Sequence, residues 1–286
     1  MPELPEVETM RRGILGIRGG TVSDIRRLAC PRKPIRLMPR IDAFRRRALG
    51  QRVENVDRIG KRVVVRLASG DAIVFEPRMT GLVLVADPPS REHLRVQLSL
   101  RGCPVSDVWY WDRRGLGSVR LATAAELESE LGPARLGPDA LSATPELLAA
   151  RLGRTKRAVK VALLDQRALA GIGNLYAAEI LHVAGVHPES PCTRLTARHW
   201  SKLAEATRCV LQDAILHEGS TLSDGTYRNA LNGAGGYQNK HRVYDKVGLR
   251  CESCGRGRIR RIVQAQRATF FCPCCQRVAR ASLRIE

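Results

Sequence analysis

The first residues of the chain carry groups that could attack carbon. Pro2 follows Met1 directly, and a small second residue favours removal of the initiator methionine. The mature chain would then begin with the secondary amine of Pro2. An α-amino group has a reference pKa of about 7.7–8.0, so a sizeable fraction is neutral near pH 7. The neighbouring Glu3 could pass protons to or from the attacked molecule. The alternative is an acidic terminus that frays into solvent.

A second cluster of reactive residues lies near the other end. Cys251 and Cys254 form one C-x₂-C pair, and Cys272 and Cys275 form another after 17 intervening residues. This spacing places four thiolates around a tetrahedral Zn²⁺, and four protein ligands close the site, so we expect one structural zinc ion. Cys274 is a surplus thiol. The alternative is a set of free or redox-active cysteines, whereas the odd total of 9 argues against a secreted disulfide framework.

The charge of the chain indicates a polyanionic partner. Its 286 residues contain 48 Lys and Arg against 28 Asp and Glu, which gives a net charge of +20. Nucleic acid is the simplest partner, and an anionic membrane surface is the alternative. The basic residues are scattered, however, and no apolar run approaches the roughly 20 residues of a membrane span. The N-terminus also lacks the pattern of a signal peptide. We therefore expect a soluble, intracellular protein that binds DNA or RNA.

Apolar periodicity predicts the elements that position these groups. From Pro5 to about Ile17 apolar residues recur at helical spacing, and the resulting helix would fix the reactive terminus. Residues 21–121 contain short runs of Val, Ile and Leu separated by turn signals, which favours an antiparallel sandwich or barrel. The predicted strands are Thr21–Leu28, Val53–Ile59, Arg62–Leu67, Ala72–Phe75, Leu82–Val85, Leu94–Leu100 and Val108–Trp111.

The second half of the sequence is predicted to be helical. A short helix at Ala124–Leu131 precedes a Gly-Pro linker, and further helices begin after Thr144. They include residues 157–164, residues 175–184 and a long amphipathic helix from Thr196 to about His217. The glycine-rich segment that follows, residues 219–236, is predicted to be a mobile loop.

The segment Pro2–Glu8 also resembles the N-terminal signature of the formamidopyrimidine-DNA glycosylase family, which includes the endonuclease VIII-type enzymes. In that family the N-terminal proline attacks C1′ of a damaged nucleotide and forms an imine. The resemblance implies that Pro2 is the nucleophile and Glu3 the general acid. Lys61 matches a family lysine that contacts phosphate and supports elimination.

Two more segments are similar to family motifs. Gln264–Cys272 resembles the zinc-finger hairpin, and Arg267 occupies the position of an arginine that contacts phosphate and takes part in the second elimination. Gly171–Glu179 resembles the helix–two-turn–helix motif, in which Asn174 would bind the phosphate flanking the lesion. Upstream, Lys156 and Lys160 match lysines that face DNA. Taken without the family, the Gly-x-Gly-Asn sequence indicates no more than a helix cap.

The resemblance also implies side chains that fill the gap left by an extruded base. Met79 and Arg114 match the first two such residues of the family, and Leu116 stands where the family has Phe. Leucine lacks an aromatic face, so lesion search or opposite-base preference could differ. Gly115 replaces a residue that is commonly basic. His93 matches a histidine that contacts DNA.

The borders of the predicted loop resemble those of the family loop that closes over a flipped 8-oxoguanine. The resemblance assigns Ser220, Thr221 and Tyr237 to lesion recognition. Gln238 stands where many members have an aromatic residue, which leaves the chemistry of this loop open. Loops commonly decide substrate choice.

These observations lead to one overall prediction. The fold is α+β, with an N-terminal antiparallel β-sandwich and flanking helices (residues 1–132), a helix–two-turn–helix domain containing the 219–239 loop (133–245), and a zinc-finger hairpin (246–286). The function implied is a monomeric glycosylase and abasic-site lyase acting on damaged double-stranded DNA in the cytoplasm, at the nucleoid, with no membrane partner, redox cofactor or catalytic metal. It would remove oxidised purines. The alternatives are endonuclease VIII-type specificity for oxidised pyrimidines, and a non-catalytic protein that binds lesions or abasic sites.

Overall fold

The computed structural model describes residues 1–278, and residues 279–286 of the predicted zinc-finger segment lie outside that range. Contacts divide the chain into two compact units. The N-terminal unit contains residues 1–135 together with 214–238, and the C-terminal unit contains residues 136–213 and those from 239 onward. The 219–239 loop was predicted to belong to the second domain, but up to Gln238 it lies in the N-terminal unit. One reason is a backbone hydrogen bond of 2.9 Å from Val85 N to Ala230 O.

The N-terminal unit is built from two sheets and three helices. One sheet has four strands in the order β1-β7-β8-β6, and the other has five in the order β2-β9-β5-β4-β3. The strands are β1 Thr21–Arg27, β2 Arg36–Met38, β3 Val53–Ile59, β4 Arg62–Leu67, β5 Ala72–Glu76, β6 Gly81–Leu84, β7 Leu94–Arg101, β8 Asp107–Asp112 and β9 Ser118–Ala122, and the helices are α1 Leu4–Gly13, α2 Ile41–Ala48 and α3 Ala124–Leu131.

Apolar side chains from both sheets form one core, as the predicted sandwich requires. Val63, Val65 and Phe75 from the five-stranded sheet and Leu82 and Leu98 from the four-stranded sheet are fully buried in the same cluster. Val64 and Val74 point to the opposite face of the five-stranded sheet and pack against α3. Among the strands of the N-terminal unit, pairing is antiparallel except in the short β2–β9 pair, which is parallel.

Helix α1 contacts strands of both sheets, namely β3, β4 and β6. Its residues Leu4, Val7 and Met10 are fully buried, and burying such a side chain contributes about 1.5–3 kcal/mol to stability. Pro5 lies in the first turn, where its missing N–H costs no intrahelical hydrogen bond. The helix ends at Gly13, earlier than predicted, and a 3₁₀ turn follows at Leu15–Ile17. The first residues of the chain are thereby anchored to the sandwich.

The C-terminal unit consists of helices and one β-hairpin. Its elements are α4 Pro145–Leu152, α5 Val159–Leu163, α6 Asn174–Ala184, β10 Arg260–Gln264 and β11 Arg267–Phe271, together with α7 Ala197–Leu216 up to Asp213. Thr144 caps α4 by accepting a hydrogen bond from Leu147 N. Ala178 of α6 lies in one apolar cluster with Ile259, Phe270 and the cysteines Cys251 and Cys272, so the hairpin packs directly on this helix.

The structure confirms the predicted α+β class and adds elements that the sequence did not reveal: β2, β9 and α2. Strand β9 contains only five residues with an arginine at its centre, and β2 has three. β2 is too short to display a period-2 pattern, and the central arginine interrupts the apolar run of β9. Among residues 1–278, no helix is both long and apolar enough to cross a membrane.

Candidate active site and nucleic-acid interface

The N-terminal residues are held in a fixed position at the start of α1. Pro2 is buried, Glu3 is 3% exposed, and Met1 is exposed. The Glu3 N–H donates to Glu6 Oε2 at 2.9 Å, and the Val7 N–H donates to the Glu3 carbonyl at 3.1 Å. These bonds fix the backbone around Glu3, whose carboxylate lies at the positive end of the helix. Removal of Met1 would therefore expose the Pro2 amine at a defined place.

Glu6 joins this terminus to the loop that begins at Gly219. Its second oxygen, Oε1, accepts from the Ser220 N–H at 2.9 Å, and the residue is only 3% exposed. Gly219 has φ +77°, and a Cβ there would lie 2.8 Å from Glu6 Oε1. Only glycine therefore lets the loop approach this carboxylate. The sequence did not predict this contact of Glu6 with the loop, and its only signal was the position of Glu6 three residues after Glu3.

The two ends of the predicted recognition loop are hydrogen bonded to each other. Gln238 Oε1 accepts from the Thr221 N–H at 3.0 Å, and the Tyr237 N–H donates to the Gly219 carbonyl at 2.9 Å. Thr221 Oγ1 accepts from the Gly235 N–H at 2.9 Å. Gln238 thus closes the base of the loop, a task for which its amide is suited and an aromatic ring is not. Ser220 and Tyr237 are both buried, 4% and 0% exposed.

Lys61 lies in the turn between β3 and β4, next to an ion pair that ties this hairpin to α1. Arg58 Nε lies 3.2 Å from Glu8 Oε2, and Arg58 Nη1 donates to the Gly60 carbonyl at 2.9 Å. Burial acts to raise the pKa of Glu8, but hydrogen bonds from Arg11 and Arg12 outweigh it and hold that pKa below its ordinary value of 4.5. Glu8 is therefore an ionised carboxylate that fixes the turn carrying Lys61.

The three predicted gap-filling residues lie on two loops of the N-terminal unit. Met79, 38% exposed, lies between β5 and β6, whereas Arg114 and Leu116 lie between β8 and β9. Gly115 has φ +63°, and a Cβ there would lie 2.1 Å from the Lys33 carbonyl oxygen. A side chain at position 115 would therefore clash with the Lys33 carbonyl, which explains why glycine stands where the family commonly has a basic residue. Nothing in the structure explains the leucine at 116.

His93, which the resemblance implies contacts DNA, is mostly buried. Its ring packs edge-on against Trp111 with centroids 5.3 Å apart, and its Nε2 lies 3.1 Å from Glu92 Oε1. Burial holds its pKa below the ordinary value of 6.5, so the imidazole is neutral at physiological pH.

In the C-terminal unit, the resemblance predicted that Lys160 faces DNA. It is fully buried, and its ammonium donates to Asn174 Oδ1 at 2.7 Å. The Asn174 amide donates in turn to the Ala268 carbonyl of β11 at 2.9 Å. Lys160 therefore orients Asn174 and ties it to the zinc-finger hairpin. Lys156 is exposed, as expected.

Arg267 is exposed at the tip of the hairpin. The two residues of the turn before it, Ala265 and Gln266, have φ +45° and +60°, the left-handed backbone of the tight turns that match the twist of paired strands. Gln264 pairs with Arg267 across that turn. Asn174 and the hairpin that carries Arg267 are thus held together by a hydrogen bond within one unit.

The four predicted zinc ligands come together. The Sγ atoms of Cys251, Cys254, Cys272 and Cys275 all lie within 4.8 Å of one another. The Cys251–Cys275 and Cys254–Cys272 separations are both 3.8 Å. Thiolates at about 2.3 Å from a tetrahedral zinc would lie about 3.8 Å apart. The cluster therefore fits one structural zinc ion, and its closed ligand set leaves no position for catalysis. Backbone N–H groups of Gly257 and Arg256 lower the pKa of Cys254 to about 6, whereas burial raises the pKa of Cys251 and Cys275.

Two residues of α6, Glu179 and His182, anchor the zinc-finger segment. The sequence predicted no such role for them. Glu179 is fully buried and accepts from the N–H groups of Arg242, Val243 and Tyr244 at 2.9–3.0 Å. Burial, the largest effect, raises its pKa above the ordinary value although these donors oppose it. His182 Nε2 lies 3.5 Å from Cys251 Sγ. A zinc-bound thiolate can only accept, so Nε2 is the donor.

The fold and these sites define an α+β zinc-finger protein with a helix–two-turn–helix region. The formamidopyrimidine-DNA glycosylase N-terminal domain matches residues 1–119, the formamidopyrimidine-DNA glycosylase H2TH domain residues 136–226, and the zinc finger found in FPG and IleRS residues 248–278.

Relatives match nearly the whole chain. The chain therefore belongs to the formamidopyrimidine-DNA glycosylase family. The protein named formamidopyrimidine-DNA glycosylase from Chloroflexus aggregans is 39% identical over 96% of this chain and 98% of its own. The crystal structure of the MutM (Fpg) protein from Thermus thermophilus is 36% identical with a TM-score of 0.83, covering 98% of this chain and all of that one. A Lactococcus lactis Fpg mutant in complex with a DNA containing Fapy-dG is 28% identical with a TM-score of 0.85, covering 96% and 100%.

Proposed function

We propose that this protein is a base-excision-repair DNA glycosylase that removes oxidised purines, 8-oxoguanine and formamidopyrimidines, from duplex DNA. The observation that carries the proposal is the intact Pro2-Glu3 pair, buried and fixed at the start of α1. A protein that only binds DNA has no need of this arrangement. The purine branch is favoured by the names of its relatives and by the solved relative bound to Fapy-dG.

The chemistry proposed starts from the neutral amine of Pro2. The nitrogen attacks C1′ of the damaged nucleotide, the bond from C1′ to the base breaks, and the departing base takes up the proton that the amine loses. The C1′–O4′ bond of the sugar then opens as Glu3, the general acid, supplies a proton to O4′. The C1′–nitrogen imine that results acidifies the C2′ proton. Loss of that proton expels the 3′-phosphate by β-elimination, and a second elimination expels the 5′-phosphate. In this proposal the glycosylase is therefore also an abasic-site lyase.

Other residues are proposed to act on the DNA backbone and the helix stack. Lys61 and Arg267 contact phosphates and assist the eliminations, while Lys156 and Asn174 bind backbone near the lesion. The gap-filling set is Met79, Arg114 and Leu116. The buried Lys160 contributes by holding Asn174. The net charge of +20 supports a nucleic-acid partner, and we propose a monomer that works inside the cell on damaged double-stranded DNA.

Substrate choice can be tested with two duplexes, one carrying 8-oxoguanine opposite cytosine and the other thymine glycol opposite adenine. Free base is measured by mass spectrometry, and cleaved strands are resolved on a gel. We expect 8-oxoguanine to be released at least about tenfold faster, with phosphate left on both sides of the resulting gap. Faster release of thymine glycol would assign the protein to the pyrimidine branch. Tight binding of either lesion or of an abasic site without release or cleavage would favour a non-catalytic binder.

A further inference from the structure

A single buried carboxylate joins the two loops that carry the gap-filling residues. Asp112, the last residue of β8, is fully buried. Its Oδ1 accepts from Thr80 Oγ1 at 2.5 Å and from the Arg114 N–H at 3.1 Å, and its Oδ2 accepts from the Gly117 N–H at 2.8 Å. Thr80 follows Met79 directly, while Arg114 and Gly117 bracket Leu116. One side chain thus contacts both loops.

Asp112 is itself held from the opposite side. Arg95 of β7 is 2% exposed, and it donates from Nε and Nη2 to the Asp112 carbonyl at 2.9 and 2.7 Å. Strand pairing adds a third constraint, because Gly81, the residue after Thr80, is the register partner of Asp112. The carboxylate therefore has little freedom to move, and neither do the groups that it binds.

We infer that Asp112 is a positioning residue that holds Met79, Arg114 and Leu116 as one rigid wedge. This inference rests on the proposed function, in which these side chains enter the DNA stack as the damaged base leaves. Entry of several side chains at once costs conformational entropy unless they are already arranged. A clamp that fixes both loops before DNA binds removes that cost from the step in which the base is extruded.

The clamp predicts a selective kinetic defect. In Asp112→Asn an NH₂ group replaces one of the two carboxylate oxygens that accept hydrogen bonds. This NH₂ group then lies against another hydrogen-bond donor, so that bond is lost. We expect single-turnover release of 8-oxoguanine from duplex DNA to slow about tenfold, equivalent to ~1.4 kcal/mol. Borohydride trapping on a preformed abasic site, where no base has to be extruded, should change less than about twofold.

The matched control is Asp107→Asn. Asp107 begins the same strand, and its Oδ1 accepts from Gln97 Nε2 and Ser99 Oγ, but it lies at the end of β8 away from the two loops. It should leave both rates within about twofold of the parent protein. Thr80→Val deletes the hydroxyl that donates to Asp112 and accepts from the Arg114 N–H, so it should reproduce part of the defect. Thr80→Ser keeps that hydroxyl and should keep the parent rate. These two variants keep the test informative if Asp112→Asn does not fold.

The results separate the inference from the proposed function. Slower release with normal trapping in Asp112→Asn and Thr80→Val supports the clamp. Equal slowing of release and trapping, no slowing, or the same defect in Asp107→Asn would overturn it. If the parent protein releases no base from any lesion duplex, the proposed function fails and the inference fails with it.

Discussion

The link between the N-terminus and the 219–238 loop makes a quantitative prediction for Glu6→Gln. The Glu6 carboxylate accepts two backbone N–H groups, from Glu3 and Ser220, each at 2.9 Å. Glutamine keeps one acceptor oxygen and places an NH₂ group against the other N–H. A hydrogen bond to a charged group contributes about 1.5–3 kcal/mol, so we expect a loss of about 2 kcal/mol at this buried site. We expect the hydrogen bond from the Ser220 N–H to be weakened more than that from the Glu3 N–H, because the loop can move away from Glu6 more easily than the helix terminus can.

A matched substitution exists in α3. Glu126 occupies the same position in its helix, accepting from the Thr123 N–H at 2.7 Å, but it is exposed and has no second backbone partner among residues 1–278. Glu126→Gln should therefore cost no more than about 1 kcal/mol, the typical value of an exposed cap. The comparison removes the general effect of replacing a capping glutamate.

The assays are thermal unfolding and amide hydrogen exchange resolved by residue. A loss of about 2 kcal/mol corresponds to an exchange rate about 30-fold faster at Ser220 if local opening governs exchange there. It also corresponds to a Tm lower by about 4–8 °C for a unit of this size. Equal destabilisation by the two glutamine variants, with unchanged exchange at Ser220, would refute the assignment of Glu6 as the link.

The zinc site, the Glu8 ion pair and the hairpin arginine each make a separate prediction. His182→Phe removes a hydrogen bond to the zinc ligand Cys251, and loss of such an outer partner typically weakens metal binding 10–100-fold. The rate of zinc release to a chromophoric chelator measures this loss of affinity. An unchanged rate would show that the contact is dispensable. Because the folded pKa of Glu8 lies below its unfolded value of about 4.5, its stabilisation is fully present above that value and is lost as pH falls below it. Urea unfolding should therefore show a difference in the free energy of unfolding between Glu8→Gln and the parent protein at pH 7, and this difference should shrink below pH 4. A difference that stays constant with pH would contradict the stabilising role of the Glu8 carboxylate. Arg267→Ala should lower the slope of log Kd against log salt for duplex DNA by about 1, whereas an unchanged slope would show that Arg267 makes no phosphate contact.

Much of this protein could be predicted from sequence because its strongest patterns are local. The spacing of Cys251, Cys254, Cys272 and Cys275 predicted a cluster that the structure confirms. Apolar periodicity located α1 and seven strands of the sandwich. Three elements escaped: β2 has only three residues, and arginines interrupt the apolar pattern of β9 and α2.

The residues that organise the sites could not be predicted in the same way. Glu6 and Ser220 are 214 positions apart, and Thr80 and Asp112 are 32 apart, so no spacing rule connects them. The resemblance implied that Lys160 faces DNA, because it matches a family lysine that does. Its burial next to Asn174 follows only from the packing of α5 against α6.

The most direct test of the central claim is covalent trapping at Pro2. Purified protein whose N-terminus has been verified by mass spectrometry is treated with borohydride in the presence of duplex DNA carrying one 8-oxoguanine opposite cytosine. We expect a stable protein–DNA adduct that maps to the peptide Pro2–Arg11 and is lost in Pro2→Gly and with undamaged duplex. An adduct on a lysine, or none on any lesion or abasic site despite tight binding, would contradict it.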